Sequence, residues 1–121
     1  MANIKEALGT TLDFTMTLAS LASSATAGRE STKVDNTTDL FLDALVWVQL
    51  KTITGTIAND KAAYVFAYGS LDSTNFPDTV TGIDAAITLN DPTQLRLIGI
   101  VHIPASLTTY KSEPLSVAAA F

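Results

Sequence analysis

The chain has no cysteine, a single histidine and few charges, and each shortage removes a class of function. Without cysteine there is neither a disulfide framework nor thiolate chemistry. His102 is the lone histidine, so any Ser–His–Asp relay would have to use it. Between Val101 and Ile103 in a strand-like run, it reads instead as a half-buried structural side chain. A zinc site needs several His or Cys ligands, so no metal is expected. Gly9, Gly28, Gly55, Gly69, Gly82 and Gly99 are too scattered for a dinucleotide or phosphate loop, so no cofactor is expected either. Charged residues make up 16%, against about 25% in an average soluble domain. Twelve carboxylates against seven Lys and Arg leave a net charge of −5, with no cationic cluster to hold a phosphate backbone. Nucleic acid is therefore excluded as the expected partner. No uninterrupted apolar run approaches the roughly 20 residues of a membrane span. The opening MANIKEALGT lacks the basic-then-apolar order of a signal peptide, so a soluble protein made in the cytoplasm is expected. Asn36-Thr37-Thr38 matches a glycosylation sequon, and without a secretion signal it reads as turn chemistry.

What the chain does have is apolar residues at period two. Hydrophobic residues are 47% of 121, enough for one core, so residues 1–121 read as one domain. From Leu40 to Thr54, Leu40, Leu42, Ala44, Val46, Val48 and Leu50 share one face. Phe41, Asp43, Leu45, Trp47, Gln49, Lys51 and Ile53 share the other. Alternation with β-branched and aromatic residues argues a strand. Fifteen residues would span roughly 50 Å, long enough to require a bend or bulge. Leu12, Phe14, Met16 and Leu18 alternate with Thr11, Asp13, Thr15 and Thr17, a half-buried strand pattern. Residues 62–68 alternate again and suggest a hairpin with 42–54 through a loop near 57–61. Residues 83–89 read as a short strand or a turn. Residues 95–103 form a strong strand with Gly99 as a bulge candidate, and 110–117 a short edge strand carrying Pro114. Residues 1–10 read as an N-terminal arm, and the small, polar 19–39 as an extended surface connection. Helix is expected only in short turns near 3–8 and 116–121. The fold class is therefore all-β, an antiparallel β-sandwich or jelly roll. Its expected core is Leu12, Phe14, Met16, Leu42, Val46, Val48, Val65, Leu97 and Val101.

The chemical inventory is thin, and the chain reads as no enzyme. Asp72, Asp78, Asp84 and Asp91 gather oxygen ligands around one loop region, but no calcium-loop spacing accompanies them, and solvated turn acids are the plainer reading. Asp13 and Asp43 are the acids inside strand-like runs; a glycosidase would need two such acids on one rigid wall. Tyr64, Phe66, Tyr68 and Trp47 could stack a sugar, though aromatics at period two more often line a core. Arg29 and Glu30, between Gly28 and Ser31, are the most pointed polar pair. They either hold the 19–39 connection down or reach to a partner.

The segments SLASS, AGREST, VDNTT and LFLDAL, in that order, precede AYVFAYGSLD and a loop carrying FPD. Over roughly residues 12–118 this order resembles small virion proteins of tailed bacteriophages, of the head decoration or cement type. The resemblance implies a non-enzymatic protein on the outer surface of the head that binds the major capsid protein and bridges its subunits. Self-association, with trimers favoured over dimers, is expected from the half-apolar outer face of the 40–54 strand. Partner contacts are expected at Arg29, Glu30, Trp47 and Phe121. Such proteins continue past the segment matching 114–121 into a further Trp-containing strand, where this chain stops at SVAAAF. That apolar end, and Phe121 with it, is expected to pack rather than hang free. The alternatives are a carbohydrate-binding module of the virion surface and a tail-tube or baseplate component.

Overall fold

In a computed structural model, residues 11, 14–19, 21–38, 40–52, 61–105 and 108–117 are described. They are mostly β, in antiparallel two-stranded ribbons, with no α-helix among them. The strands are β1 (Ala27–Glu30), β2 (Leu45–Val46), β3 (Gln49–Lys51), β4 (Ala62–Ala67), β5 (Ala85–Thr88), β6 (Arg96–His102), β7 (Thr109–Lys111) and β8 (Leu115–Ser116). One 3₁₀ turn, Pro92–Gln94, precedes β6; proline opens it and the Asp91 carboxylate accepts from the Thr93 amide.

The longest ladder joins β4 to β6, with Ala63 opposite Val101, Tyr64 opposite Ile100 and Val65 opposite Gly99. The register then slips by one residue, and Phe66 faces Leu97. One face of this ribbon carries Ala63, Val65, Gly99 and Val101, and it is covered by β8. A Cβ on Gly99 would lie 2.6 Å from Leu115 Cδ1, so the close approach of the two strands depends on glycine there. Val101 is 4% exposed beneath this cover.

The β2–β8 and β3–β7 pairs are consecutive parts of one irregular ladder. Ser112 sits at the interruption. Its hydroxyl accepts from the Val48 amide at 3.0 Å, its own amide donates to the Val48 carbonyl, and its carbonyl accepts from the Trp47 indole at 2.6 Å. Those bonds let Pro114 follow without leaving the ladder unpaired. The third pairing, β1 with β5, sets Gly28 against Ile87 and Glu30 against Ala85.

Several expectations need correction. Asn36 bonds both the amide and the carbonyl of Phe41 through its side chain, and Leu40 takes a left-handed φ of 50°. This turn occupies the front half of the predicted 40–54 strand, and Leu42 is 95% exposed instead of buried. The hairpin of 42–54 with 62–68 does not form, because β4 pairs with β6 and β3 with β7. Residues 14–18 make a single backbone bond to the neighbouring segment, Thr32 to Thr15, and Phe14 and Met16 are exposed. The 19–39 extended connection does not lie wholly on the surface, since it contains the paired strand β1 with Glu30 buried. Leu97 is exposed because the register slip turns it away from the Val101 face; strict alternation would have placed it inside.

The buried apolar side chains among the described residues are Ala67, Val80, Leu95 and Val101. Of the remaining expected core, Val46, Val48 and Val65 are half-buried. Leu12, the 3–8 turn and residues 118–121 lie outside the described residues, while Ser116 is strand, within the expected 110–117 strand and not in a turn.

Candidate functional site

Two surfaces and one internal latch stand out. The latch centres on Glu30, which is 2% exposed. Its carboxylate accepts from the Thr81 amide at 2.8 Å, the Thr81 hydroxyl, and the Gly82 amide at 2.9 Å. Three donors satisfy a charge that would otherwise be costly to bury. Gly82 has φ +78, and a Cβ there would lie 2.8 Å from Phe76 Cζ. Nearby, the Tyr68 hydroxyl donates to the Ser31 carbonyl and its ring meets Phe76 edge-on at 5.9 Å. Burial raises the Tyr68 pKa. Lys33 closes the group by donating to the Ser73 carbonyl, with its ammonium 5.8 Å from the Phe76 ring. Glu30 thus ties β1 to the loop before β5 and presents nothing to solvent.

Arg29, its neighbour, is half-buried and points the other way. Its guanidinium donates to the Ala19 carbonyl at 2.6 Å, and its charge also acts on Asp84. The Thr17 hydroxyl and amide both donate to Asp84, which lowers the acid's pKa. Arg29 and Asp84 therefore hold residues 17–19 beside the β1–β5 ribbon. Arg29 and Glu30 thus both make contacts within the chain, through hydrogen bonds and not through a salt bridge to each other.

The first surface is the outer face of the β4–β6 ribbon. Cross-strand pairs Tyr64–Ile100 and Phe66–Leu97 lie side by side on it. Tyr64 is 61% exposed, Ile100 55% and Leu97 50%. Adjacent apolar side chains left in water in this way are typical of a contact surface. Tyr64 and Tyr68 do not form an open stacking pair, because Tyr68 is held by Ser31 and Phe76. His102, at the end of the same ribbon, is exposed.

The second surface runs from Leu40 to Trp47, where Leu40, Phe41, Leu42, Leu45 and Trp47 are all exposed. Trp47 continues onto the face of β3, where it lines a shallow depression with Gln49 and Lys111. The Lys111 ammonium stands 5.6 Å from the centre of the indole. Period-two reasoning marked this outer face as half apolar and half polar, but could not show that Lys111 joins it from another strand.

The loop acids serve locally. Asp72 accepts from the amides of Thr74 and Asn75, from the Asn75 side chain and from Ser70, and those bonds hold its pKa far below the carboxylate range. Asp78 accepts from the Asn90 amide, and Asp91 caps the 3₁₀ turn. Among the described residues no three His, Cys, Asp or Glu side chains gather as a metal site. No described helix is long and apolar enough to cross a membrane. Phe121 lies outside the described residues. No known family model, curated protein or solved structure matches the chain.

Proposed function

We propose that this chain is a non-enzymatic decoration protein of a tailed-bacteriophage head, sitting on the outer shell and bridging major capsid protein subunits. Its ribbons would close as a β-sandwich of jelly-roll type, and copies would associate with one another, as a trimer at local three-fold positions, without a cofactor. The observation that carries the reading is the exposed apolar row Tyr64, Ile100, Leu97, beside just four buried apolar side chains among the described residues. A cement protein needs area more than reactive groups, and weak contacts suffice when many copies engage a repeating lattice. The ordered resemblance from SLASS to the FPD loop supports the same reading.

The test is to mix purified protein with capsids assembled without it, sediment the particles and image them. Co-sedimentation with one regular density per lattice position is the expected result. A chain that stays in the supernatant, or particles with no added density on the shell, would overturn the reading.

A further inference from the structure

We propose that the β3–β7 face carrying Trp47, Gln49, Lys51 and Lys111 binds an acidic peptide segment. This rests on the capsid reading for where that segment resides, and deepens it by naming the partner's chemistry.

The geometry begins with the register. Gln49 stands opposite Lys111 and Lys51 opposite Thr109, so all four share one face, and Trp47 lines the same depression. From Trp47 to Lys51 this strip is about 13 Å long at about 3.3 Å per residue, the length of roughly four extended residues. Its charge is opposite to that of the whole chain. Two of the seven Lys and Arg lie here, in a protein of net charge −5. Lys111 faces the indole, Lys51 is exposed, and neither ammonium pairs with a carboxylate among the described residues. Glu113, two residues beyond Lys111, is exposed and makes no ion pair with it.

Each group has a distinct task. The indole N–H is already committed to the Ser112 carbonyl, so Trp47, 69% exposed, offers only its ring. That ring suits the methylenes of a glutamate or an adjoining apolar side chain. Lys51 and Lys111 supply ammonium donors for carboxylates, and the Gln49 amide can both donate to and accept from a peptide backbone. A sugar would need several acceptors for its hydroxyls, and Gln49 is the one acceptor side chain lining the depression. A nucleic acid would need a run of cations along its backbone, and this strip carries two.

The single tryptophan makes the site its own reporter. Hexaglutamate titrated into the full chain should change Trp47 fluorescence saturably, and raising ionic strength from about 0.05 M to about 0.5 M should weaken binding several-fold. Lys51→Gln and Lys111→Gln should each weaken it by about threefold, and the double variant by about tenfold. Arg96→Gln, on the other ribbon, should leave it unchanged. No fluorescence change at millimolar peptide, or equal loss with Arg96→Gln, overturns the proposal. So does tighter binding of polygalacturonate or maltohexaose than of hexaglutamate, which would make the face a glycan site. Peptide binding without capsid binding would refute the head reading alone, because the peptide measurement contains no capsid.

Discussion

At the scale of single residues, the buried Glu30 carboxylate matters most. Glu30→Ala would leave the Thr81 and Gly82 amides without an acceptor in a buried site. A loss of about 3 kcal/mol is expected, read as a lower denaturant midpoint at unchanged slope. Glu30→Gln keeps the shape but offers one acceptor oxygen, and should fall between the two. A variant within about 0.5 kcal/mol of the parent would show that the latch contributes nothing. Asp72 gives an independent, pH-dependent expectation. Backbone bonds from Asn75 and Thr74 depress its folded pKa, so its contribution is present above the unfolded value and lost as pH falls towards the folded one. Asp84, Asp91 and Asp35 are depressed in the same direction. Thermal stability should therefore decline as pH drops below about 4, and Asp72→Asn should flatten that decline. A midpoint that does not change from neutral pH to about pH 3 would refute it.

At the scale of elements, the crossing of β6 and β8 is the sensitive contact. Gly99→Ala brings a methyl group against Leu115, whose side-chain end must move. The expected cost is about 1–3 kcal/mol. Leu115→Ala alone should also destabilise, by opening a space over Gly99. Combined, the two should lose less than the sum of their separate losses, because the second relieves the clash made by the first. Strict additivity in that double-mutant cycle would show that the strands do not meet there. The same crossing explains why Gly99 belongs beside a register slip: the slip reverses the faces of the first two residues of β6, and the glycine admits the covering strand.

At the scale of the whole molecule, the balance between core and surface is decisive. Replacing Tyr64 and Ile100 together by Ser should barely change the melting temperature of the isolated chain, since both are already more than half exposed. The same variant should weaken capsid binding by about tenfold or more, as loss of aromatic and aliphatic anchors does at a contact surface. Sedimentation of the variant with undecorated capsids measures it. If the melting temperature falls while capsid binding is retained, the β4–β6 outer face belongs to the chain's own core.

The periodicity of residues 45–51, 62–67 and 96–102 was readable from sequence, because alternation is a local property of each segment. So was the thinness of the catalytic inventory, which composition decides directly. The Asn36 side-chain bonds to Phe41 and the left-handed Leu40 delay the start of the long strand, and only a folded turn makes them evident. The partners of β3 and β4 depended on residues some thirty to sixty positions away, and no local pattern encodes that choice. Glu30, paired with Arg29 in the sequence, became an interior acceptor only because Thr81 and Gly82 were brought to it. Alternation assigns two faces to every strand but does not say which one is covered. Tertiary structure made that choice, placing Leu115 over Gly99 and leaving Tyr64, Ile100 and Leu97 in water.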